Sequence, residues 1–146
     1  MTWRDDEPTR SASAGIDLQS RARLVLRFWK STEPRWKLCL AFNSIPPGTD
    51  GDVHYFIATS KITYFRENSH LLSEVLVFPP DAYDFFPEET AIDFRELRIV
   101  PFAKLESKGL RILGQLTAVD IERCESAIRT VRILSNRDRR RLGLLG

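Results

Sequence analysis

Residues 90–134 read TAIDFRELRIVPFAKLESKGLRILGQLTAVDIERCESAIRTVRIL, and the succession of patterns in this stretch decides the architecture. A strand, a polar turn, a second strand, a linker and one capped helix follow one another. Thr117 suits a helix N-cap, and Asp120 three positions on completes a capping-box-like pair while complementing the positive helix end. Ile121, Cys124, Ile128 and Val131 follow at spacings of three, four and three, which places them on one helix face. Gly114, just before the helix, predicts a turn out of the preceding strand.

Moving outward, residues 53–60, VHYFIATS, form the clearest strand. Val53, Tyr55, Ile57 and Thr59 point to one side, and His54, Phe56, Ala58 and Ser60 to the other. Residues 74–78 read as a further strand closed by Pro79 and Pro80, and 81–89 as a loop carrying Tyr83, Phe85 and Phe86. Residues 61–73 are mixed and polar, an excursion between strands. Residues 22–29, ARLVLRFW, admit two readings. Leu24, Leu26 and Phe28 alternate with Arg23, Val25 and Arg27 as in a half-buried strand, while Leu18, Ala22, Val25, Leu26 and Trp29 fit a helical stripe. The strand is preferred, because 31–34 then makes a hairpin connection to a strand over 36–43. Residues 44–51, SIPPGTDG, are a loop.

Together these patterns predict about six short strands and one late helix. The class is mainly β with a C-terminal helix (α+β), a small, strongly curved antiparallel sheet or barrel. Residues 1–20, polar with Pro8 and Gly15 as breakers, read as a flexible lead-in. Residues 21–136 make one domain and 137–146 a basic tail.

A chain of 146 residues, 42% hydrophobic and 29% charged, has the composition of an ordinary globular domain with one core. Its longest apolar runs, such as 38–42, are too short to cross a bilayer, and Arg4, Asp5, Asp6 and Glu7 occupy the place of a signal peptide's apolar segment. Cys39, in a strand-like run, and Cys124, on the helix, read as small buried hydrophobes rather than a disulfide or metal pair. These features predict a reducing, cytoplasmic setting without membrane association. The net charge of +2 is uneven. Over 132–146, five arginines stand against Asp138, a balance of +4, so the remainder carries −2. Such a tail suits phosphate contact or a solvated, frayed terminus.

The sequence has no phosphate-binding G-x-x-x-x-G-K-[ST] loop, no G-x-G-x-x-G, no H-E-x-x-H and no C-x-x-C. His54 lies mid-strand and reads as structural, and His70 sits in the polar excursion without a partner in sequence. Asp81, Asp84, Glu88 and Glu89 read as a solvated loop rather than a cation site, so neither metal nor cofactor is expected. What remains are polar groups at strand ends: Arg35 after the Glu33-Pro34 turn, and Thr59, Ser60 and Lys61 closing the clearest strand. A curled sheet brings strand ends to one rim, where a guanidinium fork and a hydroxyl can hold a phosphate. In RNA cleavage the substrate's own 2′-OH attacks, so the protein has only to position the phosphate, stabilise its charge and move protons. Arginine is poorly suited to proton abstraction because its pKa stays very high. The alternative is that Thr59 and Ser60 simply end a strand and Arg35 is a surface charge.

With these elements in order, the chain resembles the PemK/MazF toxins, small SH3-like barrels that cut single-stranded RNA. The resemblance spans roughly 22–134. It rests on EPRWKLCLAFN, where the family's Arg-Pro pair appears reversed as Pro34-Arg35, and on YFIATSK. It continues through Thr90-Ala91-Ile92 with Leu97, Arg98 and Val100, and ends in the helix from Leu116-Thr117 to Ile128. The chain departs from the family in lacking its Gly-rich first loop, replaced by 31–34, in a long 61–73 excursion and in the added lead-in. The resemblance implies Arg35 as catalytic arginine and Thr59, or Ser60 one position on, as catalytic hydroxyl. Trp36, Lys37 and Lys61 would bind substrate, with bases stacking on Trp36, Tyr83 or Phe86 unless these belong to the core or an interface. It further implies a toxin of a type II toxin-antitoxin system, a homodimer that cleaves RNA without metal and is bound by a small antitoxin protein. The alternative is a catalytically inactive barrel that binds nucleic acid or peptide; an assembly protein using the 81–89 loop is a third reading.

Overall fold

Pairing between the first strand and the last organises the sheet. The computed structural model describes residues 23–42 and 51–144. The lead-in expected over 1–20 and nearly all of the 44–51 loop lie outside them. Among the described residues the elements run β1 (Leu24–Lys30), β2 (Arg35–Ala41), β3 (Asp52–Thr59), α1 (Ile62–Glu67), a 3-10 turn (Ser69–Glu74) and β4 (Val75–Phe78), followed by β5 (Thr90–Pro101), α2 (Phe102–Glu106), β6 (Arg111–Gln115), α3 (Ala118–Thr130) and α4 (Asn136–Arg141). The fold is mixed α+β, a curled six-stranded antiparallel sheet in the order β4-β5-β3-β2-β1-β6.

Strand alternation divides the core between the two faces. Val25, Leu40, Phe56, Ile92 and Phe94 pack on one face with Phe78, Phe85 and Phe86 and with Cys124, Ile128 and Val131 of α3. Phe56 meets Phe42 and Phe94 edge-on, with ring centroids 5.5 and 5.0 Å apart, the arrangement that aromatic quadrupoles favour. Leu24, Leu26, Cys39, Val53 and Tyr55 pack on the other face beneath Phe102 and Leu105 of α2. The polar turn expected between the last two strands is thus a short helix that covers this second face. Likewise, the 61–73 excursion folds because Ile62, Phe65 and Leu71 are buried against β4 and Ala91.

β1 differs most from its expected half-buried state. Leu24, Val25, Leu26, Arg27 and Phe28 are all buried, because β1 lies between β2 and β6 with core on both sides. Arg23, at its entrance, is 3% exposed. Its guanidinium donates to Glu125 Oε2 on α3 at 2.8 Å and to the Phe42 carbonyl at 3.1 Å. Glu125 sits beside Cys124 on the buried side of the helix, so an acidic residue completes the face that the apolar spacing outlined.

Gly114 does not end a strand. It lies inside β6, where an added Cβ would come 2.7 Å from the Phe85 ring. The β1–β6 register shifts at this point, between Val25 and Leu26. The α3 cap forms on one side only: the Asp120 amide donates to Thr117 Oγ1 at 3.2 Å. The Asp120 carboxylate instead accepts from Tyr83 Oη and Arg123, and the Thr117 amide donates to Tyr83 Oη at 3.0 Å. The Tyr83 phenol has taken the place of the reciprocal bond.

The basic segment is ordered as α4, followed by Leu142 and Leu144 in the main core. Arg139 turns inward and donates to the carbonyls of Ile128, Val131 and Leu134, satisfying acceptors that the end of α3 leaves open. Cys39 and Cys124 are both buried free thiols. Among the described residues no helix is long and apolar enough to cross a membrane.

Breaking the buried Arg23–Glu125 pair leaves a charge inside the core. Glu125→Ala is therefore expected to lower the unfolding free energy in urea by about 3–5 kcal/mol, while Arg23→Leu combined with Glu125→Leu recovers most of that loss. Equal losses in the single and double variants would show that the pair's charge balance is not what matters.

Candidate functional site

Antiparallel pairing of β2 with β3 aligns Leu38 with Ala58, so the start of one strand lies beside the end of the other. Arg35 opens β2 and Thr59 closes β3. Arg35, Trp36, Lys37, Thr59 and Ser60 consequently line one mostly polar cavity of about 200 Å³, joined by Glu88 and Thr90. Five of the six residues expected at the site converge there. Lys61 does not line the cavity, but its amide donates to Thr59 Oγ1 at 3.1 Å. This bond orients the hydroxyl oxygen and leaves its proton free to be donated.

Arg35 donates to Glu33 Oε2 at 2.9 Å, and Glu33 also accepts from Lys30 at 2.7 Å. The Arg35 and Glu33 side chains are 40% and 45% exposed, so the pair is weak and an incoming phosphate can compete for the fork. The Lys30 hydrogen bond, more than any other influence, holds the Glu33 carboxyl below its ordinary range. Lys37 is shifted downward, first by burial and then by the nearby charges of Arg35 and Lys30. A site that crowds cations in this way favours an anion.

Trp36 is fixed from several directions. It meets Trp29 edge-on at 5.3 Å, and the guanidinium of buried Arg27 lies 3.9 Å from its ring centroid. Gly109, at φ +73°, passes so close that an added Cβ would stand 3.3 Å from the ring. The other two proposed stacking platforms belong elsewhere. Phe86 is completely buried, and Tyr83 is half-buried, stacked on Phe85 and bonded to α3. Both serve the core because the 81–89 loop folds back onto the sheet.

Glu88 is the residue that sequence reading left in a solvated loop. It reaches the cavity because the loop returns to begin β5 beside β3, and Thr90 Oγ1 donates to the Glu88 carbonyl at 2.8 Å. No spacing motif links it to Thr59. His54, within β3, and His70, on the 3-10 turn, do not line this cavity.

Comparison of the sequence with protein-family models and with curated proteins finds no match. The geometry itself therefore carries the functional reading.

Burial and neighbouring cations both favour the neutral amine of Lys37, so its folded-state pKa lies below the ordinary 10.5. As pH rises, Lys37 should lose its proton before an unperturbed lysine does. NMR titration of lysine side-chain carbons is expected to show one early midpoint that disappears in Lys37→Arg. A midpoint at the ordinary value would refute the crowding.

Proposed function

We propose that the chain is a toxin-type endoribonuclease of PemK/MazF character, cutting single-stranded RNA at the cavity between β2 and β3. The observation that carries this reading is the convergence of Arg35, Lys37, Thr59 and Ser60 with one carboxylate, Glu88, around a single polar cleft. Each of these groups has a task in phosphodiester cleavage. The Arg35 fork and a hydroxyl of Thr59 or Ser60 hold the non-bridging oxygens, which gain charge in the transition state. Glu88 takes the proton of the substrate 2′-OH, a task arginine is poorly suited to. The O2′–P bond forms, the P–O5′ bond breaks, and the departing 5′ oxygen receives a proton from Lys37. The products are a 2′,3′-cyclic phosphate and a 5′-hydroxyl. In the same reading the active species is a cytoplasmic homodimer held in check by a small antitoxin protein.

A second reading, a barrel that binds RNA or peptide without cleaving it, is favoured by one observation. The Arg35 fork is already engaged by Glu33.

Purified protein incubated with single-stranded RNA and a chelator decides between the two. Cleavage to cyclic phosphate ends is expected. Arg35→Ala should reduce kcat by about 10²–10³, and Glu88→Gln by about 10²–10⁴. Thr59→Ala and Ser60→Ala show which hydroxyl acts. Binding without turnover supports the silent module, and turnover indifferent to Arg35 and Glu88 rejects this active site.

A further inference from the structure

A second cleft lies on the α2 side of the sheet and encloses about 390 Å³, within the range of small-ligand sites. Phe28 and Tyr55 form its apolar floor, their rings edge-on at 5.9 Å. Burial keeps the Tyr55 hydroxyl protonated, its pKa pushed up to about 12.

The charges around the cleft are unequal in kind. Lys30 is paired with Glu33, Arg98 with Glu96, and Asp93 with Arg95, each at 2.7–2.8 Å. Lys37, Lys104 and Lys108 have no carboxylate at ion-pair distance among the described residues. These three cations come from β2, α2 and the turn after α2, and the Lys108 amine also lies 6.0 Å from the Phe28 ring centroid. Lys37 also lines the smaller cavity with Arg35 and Thr59, so the two spaces meet at one side chain. A single small anion needs one focus of charge. Cations distributed over three elements and continuous with a phosphate-sized cavity suit a chain of phosphates.

We infer that this cleft is a second subsite, which holds the single-stranded RNA adjoining the scissile phosphate, with its flanking phosphodiesters on Lys104 and Lys108 and Lys37 shared between the two cavities. The inference rests on the RNA-cleavage reading above. It assigns to the α2 face a role in substrate affinity separate from the chemistry at Arg35, Thr59 and Glu88.

The test uses a fluorescent, fully 2′-O-methylated RNA decamer of mixed sequence, which cannot be cleaved, titrated by anisotropy at several salt concentrations. Lys104→Ala combined with Lys108→Ala removes two cations of the cleft, one exposed and one half-buried. It should flatten the slope of log affinity against log salt by roughly 1.4, two phosphate contacts at about 0.7 each on a single strand. In cleavage assays the same variant should raise KM and leave kcat near wild type. Arg137→Ala with Arg140→Ala, on exposed α4 and away from the cleft, removes equal charge and should leave the slope unchanged. An unchanged slope in the lysine variant, or an equal flattening in the arginine variant, overturns the subsite. Wild-type protein that binds the decamer through Lys104 and Lys108 but cuts no RNA sinks the nuclease reading and keeps the subsite. Cleavage with KM and slope indifferent to these lysines does the reverse. No binding of the decamer by the wild type overturns the subsite outright.

Discussion

Antiparallel pairing of β6 with β1 is the constraint on which the rest of this molecule depends. It joins a late segment to the first described strand, with Leu24 opposite Gln115 and Arg27 opposite Arg111. The chain leaves β5, on the far side of β3 and β2, and returns through α2 to reach that edge. A short return across the sheet is most easily made when the sheet curls, and the curl gives it an inner face that α2 can cover. β1 then has core on both sides, which is why its arginines are buried rather than solvated. The same return brings Gly109 against Trp36 and so fixes one wall of the candidate site.

Much of the charge that looks like surface charge in sequence is structural in the fold. Arg23 binds Glu125 and the Phe42 carbonyl, Arg27 lies over Trp36, and Arg139 closes the carbonyl end of α3. Arginine suits these positions because its charge is permanent and its planar fork can satisfy several acceptors while its face stacks on a ring. Lysines predominate among the cations without carboxylate partners at the two cavities: Lys37, Lys104 and Lys108. Their compact, strongly hydrated charge is well suited to phosphates that arrive and leave with solvent. This division sets the buried arginines that brace the curled sheet apart from the lysines that line the two cavities.

Legibility followed the range of the interaction. The α3 helix was readable because its cap and apolar face are encoded within a few residues, Thr117 through Val131. The hairpin from β1 to β2 and strand β3 were readable for the same reason. Gly114 was misread, because its purpose is set by the Phe85 ring, which is distant in sequence. Tyr83 and Phe86 were candidates for exposed platforms until the fold of their loop placed them in the core. At the site, Arg35, Thr59 and Ser60 were named from strand ends, and Trp36 and Lys37 from the family resemblance. Glu88 was not, since only the β3–β5 pairing carries its loop to the β2–β3 cavity.

By itself, then, the sequence determined the local elements: alternation drove the strands, spacing and capping drove α3, and turn residues separated them. Those signals act over one or two turns of chain, where steric preference and hydrogen bonding to near neighbours dominate. The tertiary structure alone decided the strand order, the burial of Arg23, Arg27 and Glu125, and the meeting of two cavities at Lys37. These depend on which distant surfaces exclude water together, and burial of that kind is a property of the assembled sheet rather than of any segment within it.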